Sequence, residues 1–179
     1  MAKFYFLLWL RWSARVVTCS VLLAYFFSLL ITVYSYLSSS QPTIDVQVFN
    51  ALREVLEFWF PIVWSLTLLF ALFRSLKYIF NTCINGYKFE LYNCKGDELI
   101  KYIGYGDLVK VWRKWFMLNI WLVGAMMIIA IVFTTLFSSF NGIFEWFDIY
   151  WLSGFILASG YLSFILLGAR CKKVKLSKC

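Results

Sequence analysis

The sequence predicts an all-α integral membrane protein: a bundle of four transmembrane helices with an N-terminal interfacial helix and a small cytoplasmic loop subdomain. Three observations carry that expectation. Hydrophobic residues make up 63% of the 179 and charged residues only 15%, with a mean hydropathy of +0.77, whereas soluble domains carry about 45–50% apolar and about 25% charged residues. The apolar residues fall in four solid runs instead of the alternation expected of a transmembrane barrel. Nearly all basic residues flank the same ends of those runs. A chain of this size exposes too much surface to hide such an excess in one core. An ordinary soluble enzyme, a disordered chain and a collagen-like chain are thereby excluded.

The elements follow in order. Residues 1–15 begin with an apolar stretch after Lys3, but Arg11 and Arg15 interrupt it and no small-residue cleavage site follows. They read as an interfacial helix with Trp9 and Trp12 at headgroup level, not as a removable signal. A bilayer core takes about 20 mostly apolar residues per helix. Residues 16–37, 58–80, 116–137 and 151–169 supply four such spans, the second on condition that Arg74 and Lys77 reach out to headgroups. The connection 38–57 is amphipathic: Thr43 is a candidate cap, and Val48, Phe49, Leu52, Val55 and Leu56 form one apolar face that either lies on the membrane or continues into the second span past Pro61. Residues 81–115 form the loop subdomain. Within it Tyr87–Tyr92 alternates like a short strand, Cys94–Asp97 reads as a turn, and Asp107 is a candidate N-cap for a helix entering the third span. Residues 138–150 are an outer loop carrying Glu145 and Asp148, and 170–179 a basic tail.

Charge sets the orientation. Every Lys and Arg except Arg53 lies in the N-terminal segment, the 81–115 connection with its flanks, or the tail. With Glu90, Asp97, Glu98 and Asp107 counted against them, that side carries about +12 and the opposite side about −4. The positive-inside rule therefore places both ends and the central connection in the cytoplasm, with the bacterial inner membrane as the expected location. The basic residues hug the membrane ends and form no separate domain, so they predict attraction to anionic lipids and not nucleic-acid binding.

Within lipid, helices associate through small residues and interhelical hydrogen bonds. The first span offers Ser20, Ala24, Ser28 and Thr32, the second Thr67, Ala71 and Ser75, the third Ala130 and Thr134, and the fourth Gly154 and Ala158 with Ser159 and Ser163 beside them. Trp59, Trp112, Trp115, Trp146, Tyr150 and Trp151 are expected in the aromatic belts. In the loop subdomain, Tyr87, Phe89, Tyr92, Tyr105 and Asp107 are the candidate partner-binding residues.

Chemistry is sparsely represented. The chain has no histidine, which removes imidazole-based catalysis and His-ligated metal or haem sites. The five cysteines are an odd number without C-x-x-C spacing, so neither a disulfide framework nor a zinc site is expected, and Cys83, Cys94, Cys171 and Cys179 fall on the reducing side. No catalytic residue, cofactor or metal is assigned. Ile103-Gly104-Tyr105-Gly106-Asp107 resembles the selectivity filter of potassium channels, in which backbone carbonyls replace the ion's water. Its flanks depart from that pattern, with Lys101 and Tyr102 where the family has Thr, and a charged Lys95–Glu98 stretch where it has an apolar pore helix. A turn ending in a helix cap accounts for the residues.

The function expected is that of a non-enzymatic polytopic membrane protein acting by binding another membrane protein, with self-association as a further option. In architecture the chain is similar to small bacterial immunity proteins and exclusion proteins that protect a membrane, and equally to accessory subunits of transporters or secretion machines. The alternative is an oligomeric channel or carrier subunit. The orientation is checked with a membrane-impermeant thiol reagent: labelling of Cys83, Cys94 and Cys171 only after cells are opened is expected, and labelling in intact cells reverses the topology.

Overall fold

A computed structural model describes residues 2–38, 45–92, 104–137, 148–170 and 174–179. Four helices are long and apolar enough to cross a bilayer: α1 (Ala2–Ser38), α2 (Val46–Leu76), α3 (Tyr105–Phe137) and α4 (Ile149–Arg170). Two short strands, β1 (Tyr87–Leu91) and β2 (Val174–Lys178), pair antiparallel. The chain divides into two compact units, Ala14–Ser75 and Met1–Ser13 with Leu76–Cys179.

α1 is continuous across the boundary that the sequence reading drew between an interfacial helix and the first span. No Gly or Pro stands between Ala2 and Ser38 to end a helix there. Apart from Ser13, its buried positions form one row at four-residue spacing: Phe4, Leu8, Trp12, Val16, Ser20, Ala24, Ser28 and Thr32. At 3.6 residues per turn each step advances about 40° around the axis, so the row winds about the helix. Its members through Trp12 belong to one unit, and those from Val16 onward to the other.

In the unit Ala14–Ser75, α1 and α2 are joined at Ser20. Thr67 Oγ1 donates to the Ser20 carbonyl at 3.0 Å, and Trp64 Nε1 to Ser20 Oγ at 3.2 Å. Ala71 and Ser75 are buried on the same side of α2. α2 starts at Asp45, whose carboxylate accepts the Val46 N–H at 2.7 Å and whose carbonyl accepts that of Phe49; Thr43 lies outside the described residues. The amphipathic connection and the second span are one helix running through Pro61, with Arg53 and Glu57 paired at 2.7 Å on its exposed side.

In the other unit α3 and α4 are joined by buried hydrogen bonds. Trp115 Nε1 donates to Ser163 Oγ at 2.8 Å, and Ser159 Oγ to Asn119 Oδ1 at 2.9 Å. Trp115, expected in an aromatic belt, is fully buried: it stacks on Phe164 and meets Trp12 edge-on. Trp12 is likewise buried. The buried line of α4 runs through Ser153, Ser159, Gly160, Ser163, Phe164 and Leu167. Gly154 and Ala158 stand on its exposed side, a correction to the predicted packing row. The reason is chemical, since α4 carries two small-residue rows and the inner one holds the hydroxyls that Asn119 and Trp115 engage. On α3, Ala130 and Thr134 are half-buried, and the Thr134 hydroxyl bonds its own helix at the Ala130 and Ile131 carbonyls.

Two glycines of α4 set how close its neighbours come. A Cβ on Gly160 would lie 2.5 Å from Cζ3 of Trp12, and one on Gly168 would lie 2.6 Å from the Tyr5 hydroxyl and 3.2 Å from the Phe89 ring. Trp12 is 3% exposed and cannot swing away. Gly160→Ala is therefore expected to destabilise by about 1–3 kcal/mol through overpacking. Gly154→Ala, with nothing within 4 Å of the added carbon, is expected to be neutral or to stabilise by up to about 1 kcal/mol through helix propensity. Denaturant titration in detergent separates the two, and an equal effect contradicts the packing.

Candidate functional site

Among the described residues outside the long helices, the β1–β2 pair concentrates the polar chemistry. Sequence dictates its two faces, because successive strand residues point to opposite sides. In β1, Tyr87, Phe89 and Leu91 form one face; Lys88 and Glu90, continued by Tyr92, form the other. The register sets Phe89 across from Leu176, Leu91 from Val174, Lys88 from Ser177 and Glu90 from Lys175. The turn before β1 is built by Asn85 and Gly86, both at positive φ, and closes with reciprocal backbone hydrogen bonds between Ile84 and Tyr87.

The apolar face is an anchor. Phe89, Leu91 and Val174 are buried, and Phe89 packs edge-on against Phe4 and beside Tyr5 at the start of α1. Tyr87 adds a further ring contact to Phe4. Thus Phe89, one of the candidate partner-binding residues, belongs to the interior: period-two alternation cannot tell which face of a strand the rest of the chain covers.

The polar face is an ionic cluster. Lys88 Nζ lies 2.8 Å from Glu90 Oε1, the Tyr92 hydroxyl donates to Glu90 Oε2 at 3.1 Å, and Lys175 Nζ sits 4.7 Å from the centre of the Tyr92 ring. The hydrogen bond from Lys88 holds the Glu90 carboxyl below its ordinary value, and the Glu90 carboxylate in turn raises the Tyr92 phenol. The arrangement can hold a fixed pattern of charge. Among the described residues there is no group of three Cys, Asp or Glu side chains that would hold a metal ion.

Of the other candidates, Tyr105 opens α3, and Asp107 lies within its first turn, not at the cap. Gly104 precedes the helix and its carbonyl accepts the Leu108 N–H at 3.1 Å. An acidic side chain in a first turn is favourable either way, because it faces the positive end of the helix dipole. The structure places Tyr87 and Phe89 on β1 and Tyr92 just after it. The predicted Cys94–Asp97 turn falls outside the described residues. β2 is an element that the reading of residues 170–179 as a plain basic tail misses; the alternation Val174, Leu176 against Lys175, Ser177 was the available signal. Phe4 and Tyr5, which seat the sheet, sit within a helix and leave no such trace.

The second correction concerns sulfur. Cys83 and Cys179, separated by 96 positions, are joined in a disulfide with Cα atoms 6.2 Å apart. Their spacing gives no hint of it, because only the β1–β2 register, extended by the hydrogen bond from Cys179 N–H to the Gly86 carbonyl at 2.9 Å, carries Cys179 to the Cys83 loop. Cys19 remains a free thiol.

Compared with known proteins, this chain matches no family model, no curated protein in sequence and no solved structure in fold.

The sign of the acid response follows from Glu90. A folded carboxyl held below its ordinary value contributes stability above that value, and the contribution disappears as pH falls through the lowered folded value. Hydrogen-exchange protection of the β1 amides is expected to stay level from neutral pH down to the ordinary carboxylate value of 4.5 and to fall below it. Glu90→Gln should start lower at neutral pH and lose the acid limb. An unchanged limb in that variant assigns the response elsewhere.

Proposed function

We propose that this chain is a non-enzymatic, multi-pass membrane protein that acts by binding another membrane protein, either protecting the membrane as immunity- and exclusion-type proteins do or serving as an accessory subunit of a membrane machine. In this reading it lies in the bacterial inner membrane with the strand pair in the cytoplasm, where its basic residues also meet anionic headgroups.

The observation that supports this best is the unequal use of the helices. The hydroxyl, indole and amide groups of Ser20, Trp64, Thr67, Trp115, Asn119, Ser159 and Ser163 are engaged in holding the chain's own helices together. By contrast α3 is the least covered of the four, with 11% of its most apolar window buried against 28–33% for the others. Its exposed side runs Met117, Trp121, Ala125, Ile128, Val132 and Leu136, and Trp121 is 79% exposed. Spacings of three and four place these residues along one side of α3. A large indole followed one turn on by a small residue gives a protrusion and a recess of the kind that helix pairs in lipid use.

The test is a photo-crosslinking residue placed at Trp121 or Ile128 in native membranes. A discrete protein adduct at both positions is expected, and Trp121→Ala should weaken an adduct formed from Ile128 at least about tenfold if the indole is an interface anchor. Adducts with lipid alone at both sites overturn the proposal. Ion conductance by the purified chain in liposomes would favour the channel alternative instead.

A further inference from the structure

We propose that Cys83 and Cys179 form a reversible thiol–disulfide site that clasps β2 onto the turn leading into β1. Three observations on the fold converge on it. The sheet register, not the sequence, delivers the two cysteines to one another, with the Cys179 N–H already bonded to the Gly86 carbonyl. Both cysteines are exposed, so a thiolate or disulfide in solution can reach either sulfur; exposed disulfides are the labile, regulatory ones, and buried ones persist. The structure the bond holds is marginal by itself, since a two-stranded pair in water needs further packing. Here that packing comes from Val174 on β2 and from Phe89 and Leu91 on β1. The bond fixes the other end of β2, beyond Lys178, to the loop at Cys83.

The charge distribution assigns this end of the molecule to a compartment rich in low-molecular-weight thiols, where an exposed pair rests reduced. Oxidation proceeds by exchange with a small disulfide of the glutathione class. The Cys83 thiolate attacks one sulfur, the small disulfide bond breaks, and one small thiolate leaves. The Cys179 thiolate then attacks the Cys83 sulfur of the mixed disulfide, forming the Cys83–Cys179 bond and releasing the second small thiolate. The two protons lost by the protein thiols end on the two released thiols, so the protein is oxidised by two electrons and the small disulfide is reduced. Excess small thiol runs the same steps backward. The consequence is local: with the bond closed, β2 and its Lys175 and Lys178 are held on the sheet, and with it open they are released to solvent and to proteases.

The experiment uses the full chain in detergent micelles, equilibrated in buffers of varied reduced-to-oxidised glutathione, quenched with acid and mapped by peptide mass. A linked Cys83–Cys179 peptide is expected in oxidising buffer and absent in millimolar reduced glutathione. Trypsin cleavage after Lys175 and Lys178 is expected to be about tenfold or more faster in the reduced protein, because a long loop is no longer closed. Cys83→Ser should show the fast rate in both buffers, and Cys19→Ser should behave as the parent. A bond that survives millimolar reduced glutathione, a link from Cys83 to Cys94 or Cys171 instead, or a cleavage rate indifferent to the bond each overturns the proposal. Because the protein is in micelles, none of these outcomes depends on the membrane orientation, which impermeant labelling of Cys94 tests separately.

Discussion

The approach of Trp12 to Gly160 is the contact on which one whole unit of the molecule is built. An indole can lie against a helix backbone only where the helix offers no Cβ, and α4 offers that at Gly160. Once seated, Trp12 presents its ring to Trp115 and Phe164, so the start of α1, α3 and α4 share a single aromatic cluster. The Trp115 indole N–H then finds its acceptor in Ser163, one turn along α4 from the glycine. Two turns beyond Gly160, Gly168 repeats the device and admits Tyr5 and Phe89. Through Phe89 the strand pair is positioned, and through the strand register Cys179 reaches Cys83. Helix, sheet and disulfide are thus successive consequences of where α4 lacks side chains.

Two kinds of polar group coexist in this scaffold, and their environments explain their different forms. Among the described residues the buried polar side chains of the helices are neutral, and several bond another helix, as in Ser159 to Asn119 and Thr67 to the Ser20 carbonyl. That is the economical choice in a low-dielectric setting, where an unpaired charge costs several kcal/mol or more and a satisfied hydroxyl costs little. At the strand pair charge is admitted, with Lys88, Glu90, Tyr92 and Lys175 interlocked on one face. The same residues that balance each other also hold the β1 carboxylate ionised.

The long helices were legible because a solid apolar run of sufficient length has few other uses. Ser20 and Thr67, picked out as small residues among bulky ones, are where α1 and α2 bond one another. The fourth row failed because two small rows coexist on α4. Choosing Ser159, Gly160 and Ser163 over Gly154 and Ala158 requires knowing that Asn119, Trp115 and Trp12 stand opposite. The candidate site was half legible, since the alternation of Tyr87–Tyr92 named the strand but not its partner. β2 left a local trace in its alternation, but its pairing with β1, the seat at Phe4 and the Cys83–Cys179 pair depend on contacts across nearly the whole chain, and no local pattern encodes those.

The charge asymmetry and the cysteine pair bear on the same end of the molecule and at first sight pull apart: the proposed topology puts it among reducing thiols, and the fold closes a disulfide there. They act on different quantities. In that topology the Lys and Arg bias sets the direction of the spans, a decision made by the residues flanking the apolar runs. Whether the sulfurs are joined is an equilibrium between the bond and the surrounding thiol pool, set by exposure and by how strongly the fold holds Cys179 beside Cys83. Phe89, Leu91 and Val174 seat the Val174 end of the pair through its apolar face, independent of sulfur, while the bond holds the Cys179 end beside Cys83. A fold that seats one end of β2 without depending on sulfur is compatible with either redox state, and it converts the state of the pool into the freedom of one short strand.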